Sequence, residues 1–304
     1  TIWTLHDMWA LTGHCAYSYD CTRWQTGCFS CPLLRKPGRW LVEPAPTKLD
    51  LTRSVWRTKQ RLYQKSQVHI VTPSEWLCGL VRESILKDAA SVQCIPNGVD
   101  LDIYRPVNRD LARQVLGISR ADKVILFVSS KLTAKRKGMH YLLEALGGIR
   151  QAEQILLLTI GGGDLPRAQL QNLRHRRIGR LADQRLQALV YAAADVFVLP
   201  TLADNQPLVL IESLACGTPI VSFDVGGVPE MVRHMETGYL ARCEDPNDLR
   251  QGICTLLEDD ELRARLSLRC REIAQQEYSL KLQADRYLAL YEQAIERHQV
   301  QFNA

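Results

Sequence analysis

The fold is decided by one stretch, ADNQPLVLIESLACGTPIVSFDVGGVPE, at residues 203–230 of the 304-residue chain. A short apolar run at residues 195–200 predicts a strand immediately before it. Pro207 then opens a helix at a position where a missing N–H costs nothing, and the Gly-Thr-Pro sequence at 217–219 ends that helix. The free backbone N–H groups between Asn205 and Leu208, together with the positive end of the helix dipole, favour an anion such as phosphate.

Two carboxylates flank the start of this helix, Asp204 in the loop and Glu212 on the helix, with seven residues between them. This spacing resembles the Glu, seven residues, Glu signature of the family 4 glycosyltransferases, which are retaining enzymes with the GT-B fold. The resemblance implies that Glu212 holds the ribose of a nucleotide-sugar donor. It also implies that Asp204, one methylene shorter than the family's Glu, contacts the sugar that is transferred. The alternative is that Glu212 only caps or pairs on an ordinary Rossmann helix.

Flanking segments extend the resemblance over nearly the whole chain, and they follow in the order that the family has. They are VTPSEWL at 71–77, IPNGVDLDIYRP at 95–106, KVILFVSSKLTAKRKGMHYLLEAL at 123–146, LVYAAADVFVLP at 189–200 and VGGVPEMV at 225–232. The first is similar to the last strand and helix of the family's first domain, and the second to the entry into its second domain. The TLHD segment at 4–7, the Cys-rich loop and DNQPL at 204–208 resemble the THD, Cys-rich and DNxPL motifs of exopolysaccharide and colanic-acid-type sugar transferases.

The fold class expected from this pattern is α/β: GT-B, with two Rossmann-like domains facing a cleft. Short β-branched runs alternate with amphipathic helices, which favours parallel sheets covered on both faces. We expect a partial acceptor-side domain with a Cys-rich loop at 1–97, a nucleotide-sugar domain at 98–279, and a C-terminal helix at 280–304 that packs back on the first domain. Strands are predicted at 124–129, 155–160, 195–200 and 219–225, helices at 51–65, 139–149 and 183–193, and a tight turn at GGGD, 161–164.

The start of the chain predicts an incomplete first domain. TIWTLHD begins without Met inside a predicted strand, and only residues 1–97 precede the domain junction. This length suffices for two or three βα units, where a Rossmann-like half needs more. We therefore expect an N-terminally truncated chain that binds nucleotide, transfers sugar weakly, and self-associates through an uncovered sheet edge.

Sugar transfer from a nucleotide diphosphate needs positive charge where the β-phosphate leaves. The loop after the strand at 124–129 offers Lys131, Arg136 and Lys137, and Lys137-Gly138 matches the family's Lys-Gly pair. The family's preceding Arg has no clean counterpart, so Lys131 or Arg136 is expected to replace it. A merely solvated basic loop is the alternative. The resemblance implies no cofactor for catalysis, since GT-B enzymes stabilise the leaving phosphate without a bound divalent ion.

The resemblance further implies a nucleobase contact at Ile178 and Gly179, and a His6 that faces the donor sugar with Asp7 orienting it. A structural His6–Asp7 pair is the alternative. The expected catalytic residues are Lys137, Asp204 and His6, and the expected donor-binding residues are Lys131, Arg136, Gly138, Ile178, Gly179, Asn205, Gln206, Pro207, Leu208 and Glu212.

The expected function is transfer of a sugar, with retention, from a UDP- or GDP-sugar to a saccharide or lipid-linked acceptor in polysaccharide biosynthesis. Two rival interpretations remain. One is a non-catalytic nucleotide-sugar-binding fragment, and the other is a GT-B-fold nucleotide-sugar epimerase, which would need acid and base carboxylates in its cleft.

Four of the ten cysteines are clustered, Cys15, Cys21, Cys28 and Cys31, and the last two form a C-x2-C pair. Four thiolates in a loop flanked by Gly and Pro suit a tetrahedral structural zinc site, and reduced packed thiols or disulfides are the alternatives. The other six lie in hydrophobic sequence, as buried thiols do in a reducing compartment.

Residues 1–97 carry 12 Lys or Arg and 7 Asp or Glu, which accounts for the whole net charge of +5. Arg53, Arg57, Arg61 and Lys65 form a basic stripe on the helix predicted at 51–65. The stripe is either a solvated helix face or a surface attracted to an anionic membrane or a lipid diphosphate. No aromatic platform accompanies the charge, so nucleic acid is not expected as a partner. No apolar run reaches the roughly 18 residues of a membrane span. We therefore predict a cytoplasmic enzyme, and peripheral association with the inner face of the membrane is the alternative to a solvated helix face.

Overall fold

A computed structural model describes residues 1–35, 49–150, 152–166, 170 and 173–302. The chain forms two compact units. The first comprises Thr1–Asn97, Ala203–Gln206 and Lys281–Ala304, and the second comprises Gly98–Leu202 and Pro207–Leu280.

Both units alternate strands with helices. The strands are β1 Ile2–Thr4, β2 His69–Thr72, β3 Ser91–Cys94, β4 Lys123–Lys131, β5 Ile155–Gly162, β6 Arg174–Gly179, β7 Val196–Leu199, β8 Ile220–Phe223 and β9 Gly238–Ala241. The α-helices are α1 Pro32–Arg35, α2 Thr52–Tyr63, α3 Glu75–Arg82, α4 Arg109–Leu116, α5 Met139–Gly147, α6 Gln184–Ala193, α7 Leu208–Ala215, α8 Pro246–Glu258, α9 Asp260–Glu277 and α10 Leu280–Phe302.

A parallel sheet in the order β1-β2-β3 is the frame of the first unit. Successive residues of its central strand, Ile70 and Val71, are completely buried and point to opposite faces. Ile70 joins the core beneath α3, whereas Val71 packs with Ile95 and with Leu290 of α10. Helices therefore cover both faces, as a parallel sheet requires.

The second unit is built on a six-stranded parallel sheet in the order β6-β5-β4-β7-β8-β9. Counted from β4, this order is 3-2-1-4-5-6, which is the doubly wound arrangement of Rossmann folds. Every residue of β5 is buried, because helices pack on both faces of the sheet. The predicted α/β fold class is confirmed, and the four predicted strands lie within two residues of their expected ends.

Strand order reverses between β4 and β7, and ligands of open α/β sheets bind beyond the carboxyl ends of the strands at such a point. The loops that follow these two strands are in contact. The Leu202 N–H donates to the carbonyl oxygen of Arg136 at 2.8 Å. Gly138 has φ +75°, and a Cβ built there would lie 1.7 Å from the carbonyl oxygen of Pro200. Only glycine fits this approach, which explains the glycine of the Lys-Gly pair.

One sequence-based assignment is wrong. The segment at 71–77 does not hold the last strand of the first unit, because β3 follows α3 and pairs with β2. β3 is the short sequence SVQC and all its residues are half-buried, so it lacks the apolar run that identified the other strands.

Of the GGGD segment predicted as a tight turn, Gly161 and Gly162 belong to β5, and the chain bends at Gly163. Gly161 and Gly163 have φ values of +149° and +87°. These are conformations that residues with a side chain rarely adopt. The Cβ of a larger residue at Gly161 would also lie 1.9 Å from the carbonyl oxygen of Ser129.

Candidate active site

Four basic side chains occupy the loop between β4 and α5. Lys131 ends β4 and is exposed, and Lys135, Arg136 and Lys137 form a single 3-10 turn. The carbonyl oxygen of Arg136 accepts hydrogen bonds from Leu202 N–H and the Thr201 hydroxyl, at 2.8 and 3.1 Å. The loop thus holds its cations at the sheet edge where a phosphate is expected. Sequence reasoning omitted Lys135, which is exposed beside the predicted residues.

Glu212 lies in the second turn of α7 and is half-buried. Its Oε2 atom accepts a hydrogen bond from the Tyr191 hydroxyl at 2.9 Å, and the Tyr104 hydroxyl also interacts with the carboxylate. Burial raises the pKa of Glu212, and the two hydroxyls oppose that rise because they stabilise the charged form. Sequence reasoning gave neither tyrosine a role, although both lie in segments that resemble the family.

The start of α7 and the end of β6 hold the other donor-binding candidates of the second unit. Pro207 is the residue that precedes α7, and Leu208 is its first residue, with an exposed side chain. Ile178 and Gly179 end β6, where the register with β5 shifts. Gly179 has φ +90°, and a Cβ there would meet no atom within 4 Å. Open space therefore borders this backbone at the carboxyl edge of the sheet.

The remaining candidates lie in the first unit, on the loop Ala203–Gln206 and after β1. Asp204 is buried, whereas His6 is exposed. The Asn205 amide donates to the carbonyl oxygen of His6 at 3.0 Å, and its Oδ1 hydrogen-bonds with the Ser74 hydroxyl. Asn205 thereby ties the loop to the chain that leaves β1 and to the start of α3.

Gln206 and Asp7 also bond to the protein. The Gln206 Oε1 atom accepts from the Asn97 N–H at 2.7 Å, and its Nε2 atom is buried without a hydrogen-bond partner among the described residues. The Asp7 carboxylate accepts from the Trp9 N–H at 2.7 Å, so it shapes the turn that follows His6.

Sequence reasoning missed Lys59, which lies on the inner face of α2 and is 7% exposed. Its Nζ atom donates to the carbonyl oxygens of Trp9 and Thr12 at 2.5 and 2.9 Å, and it lies 3.5 Å from the centre of the Trp9 ring. Burial lowers the pKa of Lys59 to about 8. Lys59 thus fastens α2 to the loop after His6. The only signal for an inward-facing Lys59 in the sequence was its position three residues after Trp56, which places both on one face of a helix.

The four clustered cysteines are free thiols close enough to influence one another. Burial raises the pKa of Cys15 to about 12 and also raises that of Cys28, and the neighbouring thiols add to both shifts. The Cys28 sulfur accepts from the Gly13 N–H at 3.1 Å. Within the described parts of the chain, no three His, Cys, Asp or Glu side chains have the arrangement of a metal site. Structural zinc stays a prediction.

The basic stripe of α2 is exposed. Its four cations face solvent, although Lys65 lies two residues beyond the end of α2. The side chains of Leu51, Val55 and Leu62 are also exposed, whereas Trp56 and Lys59 face inward. In the part of the chain that the structure describes, none of the four cations forms an ion pair. α2 is therefore amphipathic, with an outer face that is both basic and aliphatic. No helix of the described residues is long and apolar enough to cross a membrane.

Comparison with known proteins agrees with this geometry. Residues 122–259 match the model of the family Glycosyl transferases group 1. The chain is 29% identical over 252 residues to the D-inositol 3-phosphate glycosyltransferase of Corynebacterium efficiens, covering 78% of this chain and 58% of that protein. The solved sucrose-phosphate synthase of Thermosynechococcus elongatus is 28% identical with a TM-score of 0.71, covering 84% of this chain and 65% of that one. Anabaena HepE in complex with UDP-glucose is 21% identical with a TM-score of 0.65, covering 79% and 68%.

These likenesses show the GT-B glycosyltransferase fold, and the family match falls on the second unit. The chain spans about three fifths of the length of the curated relatives it matches. Those relatives are named as inositol-phosphate glycosyl, phosphatidyl-inositol mannosyl and glucosaminyl malate enzymes. They support a glycosyltransferase but not specifically the colanic-acid type.

Proposed function

We propose that this protein transfers a sugar from a nucleoside-diphosphate sugar to a saccharide or lipid-linked acceptor, with retention, in polysaccharide biosynthesis. The observation that carries the proposal is the pair of loops at the switch point of the doubly wound sheet. One loop supplies a cluster of cations, and the other leads into the helix that bears Glu212. A phosphate and a ribose are the two groups that such a pair is suited to bind.

Each predicted residue has a role in this proposal. Glu212 accepts from the ribose hydroxyls, and the backbone at Ile178 and Gly179 receives the base. Lys131, Arg136 and Lys137 stabilise the charge that develops on the departing phosphate, and no divalent ion takes part. Asp204 and His6 contact the sugar that is transferred. The donor is a UDP- or GDP-sugar, and the UDP-glucose complex of HepE supports the first.

Calorimetry with UDP and GDP, run beside a transfer assay with their sugars, tests this function. Glu212→Ala is expected to weaken nucleotide binding by about 1.5–3 kcal/mol, because it removes a hydrogen bond to a charged acceptor. Glu261→Ala is the matched control, since Glu261 is an exposed carboxylate on α9. Equal affinity of the Glu212 variant and the wild type would contradict the proposal.

The same assay separates the rival functions. An epimerase would convert the donor sugar without an acceptor, and a binding fragment would bind nucleotide without turnover. A transferase consumes the donor only when an acceptor is supplied.

We further propose that α2 holds the enzyme on the cytoplasmic face of an anionic membrane. Three exposed arginines of α2, the exposed Lys65 just beyond its end, and exposed aliphatic side chains beside them support this. Each cation near such a surface contributes about 1 kcal/mol. Sedimentation with vesicles of phosphatidylglycerol and phosphatidylcholine tests the proposal. Arg57→Glu with Arg61→Glu should abolish binding, whereas Arg185→Glu, on exposed α6 surface, should not. Equal binding by both variants would refute it.

A further inference from the structure

We propose that Tyr191 is a positioning residue for nucleotide binding: its hydroxyl holds one oxygen of Glu212 and leaves the other to accept from the ribose. This inference rests on the proposed role of Glu212 in donor binding. It assigns a function to a tyrosine that is completely buried and acts through Glu212.

The Tyr191 side chain has little freedom to move. It is completely buried, and its ring packs edge to face with Phe197 at 5.5 Å and with Tyr104 at 6.4 Å between ring centres. Its carbonyl oxygen accepts from the Thr218 hydroxyl at 2.9 Å. A buried phenol needs an acceptor, and Glu212 Oε2 provides it at 2.9 Å. The core of the second unit therefore fixes the point from which this hydrogen bond is donated.

Tyr104 is a weaker support for the same carboxylate. It is 3% exposed, and its hydroxyl donates to Gln187 Oε1 at 2.9 Å while also interacting with Glu212. The Gln187 amide nitrogen donates to the carbonyl oxygen of Leu181 at 2.7 Å, which keeps Oε1 directed at the tyrosine. A phenol has only one proton to donate. Tyr104 thus divides its proton between two acceptors, whereas Tyr191 has the carboxylate as its acceptor.

The acceptor capacity of Glu212 leaves room for a ligand. A carboxylate offers about four lone-pair sites; the Tyr191 hydroxyl occupies one of those on Oε2, and the Tyr104 hydroxyl can take a second. The Glu212 residue is half-buried, so part of its surface is open to solvent. A Glu side chain has three rotatable bonds, and fixing them before the ligand arrives reduces the entropy lost on binding.

Three titratable groups of the described residues interact with Glu212. They are Tyr191 from α6, Tyr104 from the segment before α4, and Cys216, the residue that follows α7. Arg271 of α9 lies beyond Cys216, where its guanidinium donates to the carbonyl oxygens of Tyr104 and Ala215. Loss of the Tyr191 hydroxyl removes a hydrogen bond that favours the charged carboxylate. The pH below which Glu212 loses its charge, and with it the charge-assisted hydrogen bond to ribose, should therefore rise.

Calorimetry of the full chain with UDP and with 2′,3′-dideoxy-UDP tests the inference, with GDP and its dideoxy analogue used if GDP binds more tightly. Tyr191→Phe should weaken UDP binding by about tenfold, as expected for weakening of a charge-assisted hydrogen bond, and leave dideoxy-UDP binding within about twofold. In a Glu212→Gln background the same change should have no further effect. Tyr278→Phe is the matched control, because its buried hydroxyl donates to the carbonyl oxygen of Glu230 instead.

A pH series adds a measurement that a merely structural tyrosine would not alter. UDP affinity should fall as pH is lowered and Glu212 takes up a proton. The midpoint of that fall should move to higher pH in Tyr191→Phe, by a smaller step in Tyr104→Phe, and not at all in Tyr278→Phe. If Tyr191→Phe does not fold, the pH midpoint of UDP binding by Tyr104→Phe is the deciding measurement. A midpoint equal to that of the wild type would show that tyrosine hydroxyls do not support the charged carboxylate, and it would overturn the inference.

The outcomes distinguish this inference from the proposed function. If Glu212→Gln binds UDP and dideoxy-UDP as the wild type does, the ribose role of Glu212 is wrong. If Glu212→Gln loses the preference for UDP but Tyr191→Phe keeps wild-type affinity and pH dependence, only the positioning role is wrong. An equal loss for both nucleotides in Tyr191→Phe would also overturn it, because that loss would not come from the ribose.

Discussion

Replacing Gly138 with alanine should destabilise the second unit strongly. The residue has φ +75°, where a side chain costs about 1–2 kcal/mol. The new Cβ would also lie 1.7 Å from the carbonyl oxygen of Pro200, so the loops after β4 and β7 would have to separate. Overpacking of this kind costs about 1–3 kcal/mol. We therefore expect a total loss of about 2–5 kcal/mol, and weaker nucleotide binding because the basic loop is displaced.

Urea unfolding, followed by the fluorescence of bound nucleotide analogue and by circular dichroism, measures this effect. Gly147→Ala is the matched control, because Gly147 ends the same helix, α5, and its new Cβ would meet no atom within 4 Å. That variant should lie within about 1 kcal/mol of the wild type. A Gly138 variant as stable as the Gly147 variant, with unchanged nucleotide affinity, would refute the proposed loop contact.

Three other predictions concern single side chains. Asp195→Asn should cost about 3–5 kcal/mol of unfolding free energy, because its carboxylate is 5% exposed and forms a 2.7 Å ion pair with a buried arginine. Asp110→Asn, in an exposed pair, should cost less than about 1 kcal/mol, and equal losses would contradict the argument. If the cysteine cluster binds zinc, elemental analysis should find about one zinc per chain, lost in Cys28→Ser but kept in Cys254→Ser, and a chelator should lower Tm. If the protein contains no metal and the chelator does not change its Tm, the four thiols have only a packing role. Lys137→Ala should reduce kcat more than donor affinity, because Lys137 is proposed to stabilise the departing phosphate in the transition state. A loss of donor affinity with unchanged kcat would show that Lys137 only binds the donor in its ground state.

The sequence predicted the second unit well because its signals are local. An apolar run of five to eight residues, a proline and a glycine each act on their immediate neighbours, so 123–146 and 195–230 could be read directly as strands, loops and helices. The alternation of these segments then predicted a parallel sheet covered by helices on both faces, and the structure has such a sheet, with its doubly wound order seen only there. β3 was missed because its four half-buried residues carry no such local signal.

The sequence by itself determined the α/β class, the loops at the carboxyl edge of the sheet, and the candidate residues Glu212 and Lys137. Only the tertiary structure decided what those residues touch. Tyr191 lies 21 positions before Glu212, and Asn205 bonds to the carbonyl oxygen of His6, 199 positions away. No periodicity or spacing predicts such pairs, because packing of whole elements brings them together. The helix at 208–215 follows from its own residues, whereas the raised pKa of its carboxylate follows from burial and its hydrogen bonds come from tyrosines on other segments.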